Sequence, residues 1–206
     1  FIALDKPTAV RMYDLVMKYW PQYVAELKKR IEQAQDQQEE LKLKHHLKRV
    51  AETEVCVVVS SEQNEVAKFR AMGLEIEPHR KKMVQRDLEK EFKDEENPFR
   101  LAIVCAMWIT GFDVPCVSTV YLDKPIKGHT LMQTIARANR VYDDEKENGL
   151  IVDYGNVYRK LEEAYATYGE GDNNGKKNKN GDDSDDHSAT PAERLEGLAV
   201  ELQGSI

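Results

Sequence analysis

The sequence predicts an α/β protein built on a parallel sheet with helices on both faces. Short apolar runs recur at residues 55–59, 101–105, 118–122 and 149–153. Their length and β-branched content suit strands covered on both sides. Longer charged segments with helical spacing lie between most of them, as crossovers between parallel strands require.

The elements follow in order. Thr8 is placed to cap a helix over 9–19 that ends near Pro21, because proline removes a helical N–H donor. Residues 22–50 are charged and Gln-rich, with Val24, Leu27, Ile31, Ala34, Leu41 and Leu47 at loosely helical spacing. They read as one long amphipathic helix or two. Residues 1–52 are thus a helical arm or connector. From 53 to 168 strands and helices alternate, with helices expected at 62–71, 80–93, 129–139 and 156–168 and a further short strand at 75–79. His79-Arg80-Lys81-Lys82 is read as a solvated basic cluster, since a helix start disfavours cations. Residues 169–190 are Gly-, Asn- and Asp-rich with almost no apolar side chains, which predicts a disordered linker. Pro191 then opens a short amphipathic helix, the start of a C-terminal helical region over 191–206.

The chemistry concentrates between 101 and 153. Thr110-Gly111-Phe112-Asp113 follows the second apolar run. Loops at the carboxyl ends of parallel strands line the ligand crevice of open α/β sheets. Gly111 permits close backbone approach, Thr110 offers a hydroxyl to a nucleic-acid phosphate, and Asp113 can accept from a ribose hydroxyl or orient an arginine. Further on, Gln133, Arg137 and Arg140 form Q-x-x-x-R-x-x-R. At about 100° per residue they share one helical face, opposite Leu131, Ile135 and Ala138. Two guanidiniums and an amide suit a γ-phosphate whose charge is redistributed in transfer. Each motif alone is weak: a surface helix with two solvated arginines, or a strand-end turn, is then the better account. Their order and company favour function.

The wording TGFD-x-P, Y-x-DKP-x-KGH, LMQ-x-IAR-x-NR and G-x-IVDY over residues 110–154 resembles the R (restriction and translocation) subunit of type I restriction enzymes. It is also similar to motifs V and VI of superfamily 2 helicases. Ala136 stands where the usual motif VI has Gly, and no His opens the motif, which argues against a DEAD-box RNA helicase. Val57–Ser61 (V-V-V-S-S) loosely resembles the strand and serine-bearing loop near motif IV. The resemblance implies that 53–168 is the second RecA-like motor lobe of such a subunit. It implies Arg137 and Arg140 as catalytic residues; Gln133, Arg137, Arg140 and Asp113 at the nucleotide; and Thr110 and Gly111 on the nucleic acid. It also implies ATP and Mg²⁺ shared with a preceding motor lobe, double-stranded DNA as the track, and separate methylation and specificity subunits as partners. The parent would translocate duplex DNA before cleaving it. Another superfamily 2 motor, or a degenerate lobe acting as an interaction scaffold, stays open as an alternative.

Composition bounds these readings. The chain has 206 residues and a net charge of −7, a mark against tight autonomous DNA binding. It opens Phe-Ile-Ala and closes Gly-Ser-Ile inside a helical pattern, which reads as a piece of a longer protein. No G-x-x-x-x-G-K-[ST], no Mg²⁺-holding acidic box after a strand and no nuclease core is found. Glu40-Leu41-Lys42 has E-x-K spacing without a strand-borne Asp before it. The isolated piece is therefore expected to be inactive. No metal-ligand spacing appears among the histidines. Cys56, Cys105 and Cys116 form no C-x-x-C pair, so reduced, buried thiols are expected, in a cytoplasmic protein with no membrane-spanning run.

Overall fold

The computed structural model describes residues 1–109, 114–126, 128–138 and 149–155, with the side chains of 128, 129, 132 and 137 outside that description. All lie within the unit Phe1–Val157. The expected helix at 156–168, the linker at 169–190 and the region 191–206 fall outside the described residues.

Helix α1 spans Lys6–Glu32 and α2 spans Gln37–Glu52. Asp5, not Thr8, caps α1: its carboxylate accepts the Thr8 N–H at 2.7 Å, and Pro7 sits in the first turn where no N–H is needed. The expected stop at Pro21 does not occur. The lost donor there is outweighed by burial of Val10 and Leu27 on either side and by the Trp20 indole N–H, which donates to the Val50 carbonyl of α2 at 3.1 Å. The break comes at 33–36 instead. Asp36 caps α2 by accepting the Glu39 N–H at 2.7 Å.

The strands are β1 (Glu54–Val58), β2 (Phe99–Val104), β3 (Thr119–Leu122) and β4 (Leu150–Asp153). The expected runs find them to within two residues. β1 pairs parallel with β2, and β3 parallel with β4. Ile2 joins the two ladders, with a parallel bridge to Val104 on one side and to Leu122 on the other. Its N–H donates to Tyr121 at 2.8 Å, and its carbonyl accepts the Asp123 N–H at 3.0 Å. The N-terminal tripeptide is thus a miniature strand in the middle of the sheet, which the hydrophobic pattern had not revealed.

Along β1 and β2 alternate residues serve opposite faces. Val55, Val57, Val59, Ile103 and Cys105 form one core with Ala9 and Val10 of α1, Phe69 of α3 (Glu65–Ala71) and the partly buried Met83 of α4 (Glu77–Gln85). Their neighbours Cys56, Val58, Ala102 and Val104 are buried as well, so both faces of this ladder are covered.

Between β1 and β2 the chain departs from expectation twice. No strand forms at 75–79, because Pro78 occupies the first turn of α4 and Ile76 precedes it in helical conformation. The single helix expected over 80–93 is two. Arg86 turns to extended backbone, and Asp87 caps α5 (Leu88–Lys93) by accepting the Lys90 N–H at 3.1 Å.

The 79–82 cluster is not solvated as a whole. His79 is buried edge-on against Tyr13, and burial lowers its pKa to about 4. Arg80 grips Glu65 through two bonds of 2.7 and 2.8 Å and donates to the Val59 carbonyl at 3.0 Å. Lys82 reaches Glu54 at 2.8 Å. Arg86 forks onto the same carboxylate at 2.7 Å through each terminal nitrogen and also pairs with Glu91. Hydrogen bonding from Arg86 holds the Glu54 carboxyl down at about 2. The sequence reading missed both the helix start at Glu77 and these salt-bridge partners.

Candidate functional site

Because every described strand pairing is parallel, the carboxyl ends of all strands open on one edge of the sheet. Ser60 and Ser61 leave β1 there, Leu4 and Asp5 leave the N-terminal tripeptide, Asp123 leaves β3, and Asp153 closes β4. Asp123 and Asp153 lie next to one another, since Leu122 is the register partner of Asp153. Both carboxylates hold local backbone: Asp123 accepts the Leu4 N–H at 3.1 Å and Asp153 the Gly155 N–H at 2.8 Å. Asp5 does the same for α1, and hydrogen bonding from Thr8 keeps its carboxyl below the ordinary range. These acids therefore fix the edge's geometry.

The loop carrying Thr110, Gly111 and Asp113 belongs to this edge by sequence, but those three lie outside the described residues. Its anchors do not. Ile109 enters it and Val114 leaves it, both buried. One residue earlier Trp108 takes φ 66, a region that bulky side chains rarely adopt and that costs about 1–3 kcal/mol. The Trp108 ring stacks on Phe92 of α5 at 5.7 Å and lies 6.4 Å from Phe99 at the start of β2.

Helix α6 spans Gly128–Ala138. Leu131, Thr134 and Ala138 are buried, while Ile135 is half-buried and Ala136 exposed. The packing arc thus runs through Thr134, which the sequence reading did not include. Its hydroxyl is satisfied by the Thr130 carbonyl at 2.8 Å, so a polar residue behaves there as a small apolar one. Gln133 is half-buried and lies away from that arc. Arg137 follows it by one turn on the same helix; its side chain and the whole of Arg140 lie outside the described residues. Gly149, at the start of β4, meets the end of α6 closely. A Cβ there would stand 2.1 Å from the Ala138 carbonyl oxygen, so only glycine fits that approach.

Cys56 and Cys105 are buried and Cys116 is half-buried. Burial pushes the Cys56 thiol up to about 12, which makes it a packing residue. Among the described residues no three His, Cys, Asp or Glu side chains converge on a metal position. No helix among them is long and apolar enough to cross a membrane.

Residues 30–156 match the family described as type I restriction enzyme subunit R domain 3. The chain belongs to this family. The match runs from the end of α1 through β4 and includes the 110–113 loop, Gln133, Arg137 and Arg140. The chain is 52% identical over 89 residues to the type I restriction enzyme HindI endonuclease subunit of Haemophilus influenzae, covering 42% of this chain and 8% of that protein. It is 50% identical over 92 residues to a provisionally named type I restriction enzyme MjaIXP endonuclease subunit of Methanocaldococcus jannaschii, covering 44% and 9%. It is 32% identical over 85 residues to the type I restriction enzyme SauCOLORF180P endonuclease subunit of Staphylococcus aureus, covering 41% and 9%. The matched segment is thus less than a tenth of each of these R-subunit relatives. The N-terminal tripeptide that completes the sheet precedes the family-matched span.

Proposed function

We propose that this chain is the second, RecA-like motor lobe of a type I restriction enzyme R subunit, contributing to ATP-dependent translocation of duplex DNA before cleavage. The observation that carries the reading is a juxtaposition. Parallel pairing brings the ends of the strand preceding residues 110–113 and of the strand preceding α6 to one sheet edge, with the N-terminal tripeptide between them, and α6 bears Gln133 and Arg137 in the Q-x-x-x-R-x-x-R pattern.

In this reading Arg137 and Arg140 engage γ-phosphate oxygens as charge develops there, and the Gln133 amide orients them or the attacking water. Thr110 and Gly111 meet a DNA phosphate through a hydroxyl and a backbone N–H, which fixes position without reading sequence. Asp113 accepts from a ribose hydroxyl or steers an arginine. The donor set fits phosphate and does not fit a divalent cation, since α6 carries one arginine and one glutamine and no carboxylate. Mg²⁺, when bound, neutralises phosphate charge from ligands on a preceding motor lobe. Duplex DNA, that lobe, and the methylation and specificity subunits are the partners the reading requires.

The test is DNA-stimulated ATP turnover by the full-length R subunit carrying Thr110→Ala or Asp113→Ala. Both variants should lower DNA-stimulated turnover more than basal turnover. A neutral phosphate contact is worth only about 1 kcal/mol, so the loss of DNA affinity should be modest. Full stimulation by DNA in both variants would reduce the loop to a local turn.

A further inference from the structure

We infer that Trp108 is a positioning residue that couples the 110–113 loop to α5 and α6, an inference that rests on the motor-lobe reading above. Among the described non-glycine residues, Asn64 and Trp108 have positive φ. Asn64 precedes α3 in a left-handed conformation, and asparagine tolerates that region well. Tryptophan does not. Where a chain needs only the turn, glycine or asparagine supplies it at less cost. A tryptophan in that conformation indicates that the ring itself is required there.

The ring's surroundings say what it is required for. It stacks on Phe92 with an interplanar angle of 29°, and Phe92 in turn lies 5.0 Å from Phe99. Phe99 is almost fully buried at the base of β2. Phe92 belongs to α5, which Arg86 ties to β1 by pairing with both Glu91 and Glu54. The same ring borders a cavity of about 120 Å³ together with Phe92, Arg100, Val104 and Thr134. Thr134 is on α6, adjacent in sequence to Gln133. Trp108 therefore touches the element before β2 and shares a space with the helix that bears the phosphate-facing pattern. It also lies two residues ahead of Thr110. The Trp108 turn and ring therefore stand just ahead of residues 110–113 in the chain, held between Phe92 of α5 and the cavity that Thr134 of α6 also lines.

The experiment uses the full-length R subunit in its restriction complex, with Trp108→Gly, Trp108→Phe and Thr110→Ala. Basal ATP turnover, DNA-stimulated turnover and the DNA concentration for half-stimulation are read for each. Glycine keeps the positive φ without strain and deletes only the ring. Trp108→Gly should lose at least about tenfold in DNA-stimulated turnover and need more DNA for half-stimulation, as small positional errors do to a reacting site. Its basal turnover should stay near wild type, and Trp108→Phe should recover most of the stimulation. If Trp108→Gly keeps full stimulation while Thr110→Ala loses it, the inference about Trp108 fails and the motor-lobe reading stands. If neither variant alters stimulation, the loop assignment itself fails. Equal loss of basal and stimulated turnover in Trp108→Gly, or no rescue by phenylalanine, makes Trp108 a fold residue and overturns the inference. Should Trp108→Gly not fold, Phe92→Leu removes the stacking partner from the α5 side, and the same outcomes decide.

Discussion

The β1–β2 ladder and the β3–β4 ladder share one sheet and are built on different terms. In the first, Val55, Cys56, Val57, Val58, Ile103 and Val104 are all buried, and charged networks around Glu54 and Glu65 brace the flanking helices. In the second, Leu122 is buried, but Thr119, Val120 and Tyr121 are half-exposed and Leu150 is 48% exposed. The first ladder invests in burial. The second carries the α6 pattern on strands that bury far less. Elements that must engage ligands or move are drawn from the less stable part of a fold; α6 sits on that side of the division, while residues 110–113 follow β2 of the first ladder.

Three substitutions sharpen the contrast. Glu65→Gln should have the largest effect on stability. It leaves Arg80 without its carboxylate beside a nearly buried loop, and breaking such a pair costs about 3 kcal/mol when fully desolvated. Glu65 and Arg80 retain 11% and 23% side-chain exposure, so about 2 kcal/mol is expected, or roughly 4–8 °C in melting temperature. An unchanged melting temperature would remove the ion pair from the account of the first ladder. Gly149→Ala strikes the second ladder. With the Ala138 carbonyl in the way, α6 and β4 must separate, at about 1 kcal/mol, the low end for overpacking, because this ladder buries less. Thermal melts should show that loss; wild-type stability would mean the close approach is easily relaxed.

His79→Phe should have the smallest effect at neutral pH and a clear one in acid. The buried His79 has a pKa of about 4 against an ordinary 6.5, so the unfolded chain takes up the proton first. Its stabilising preference for the neutral form is complete above about pH 6.5 and is lost as pH falls toward 4. Between pH 7 and pH 5 wild type should lose on the order of 2 kcal/mol that the phenylalanine variant, which keeps the edge contact with Tyr13, retains. Parallel acid melts of the two proteins would sink the assignment.

The same division explains what the sequence disclosed. β1 to β4 were legible because each is a short run of mostly apolar, β-branched or aromatic residues bounded by polar ones. α6 was legible because Leu131 and Ala138 sit a heptad apart, opposite Gln133. Residues 1–3 were not, since three residues carry no periodicity and only tertiary pairing reveals Ile2 as a strand. The continuation of α1 past Pro21 was hidden because Trp20 finds its hydrogen-bond partner at Val50 of α2, beyond any local window. The split between α4 and α5 was a capping event at Asp87 inside a segment with no Gly or Pro to mark a break. The roles of Arg80 and Lys82 depended on Glu65 and Glu54, which lie 15 and 28 residues away. Of the site, the sequence disclosed the pattern of Gln133, Arg137 and Arg140. It could not disclose the Trp108 turn, whose meaning lies in ring contacts with Phe92 and Phe99.

The central claim is that α6 and the residues after it supply phosphate-facing charge while the first ladder supplies the scaffold. ATP turnover by the full-length R subunit bearing Arg137→Ala or Arg140→Ala tests it most directly, with duplex-DNA binding and melting temperature measured on the same preparations. The predicted result is a loss of about 10³-fold in turnover for at least one variant. DNA binding and melting temperature should stay near wild type, with incomplete rescue by lysine, which lacks the planar fork. Wild-type turnover in both alanine variants would contradict the claim.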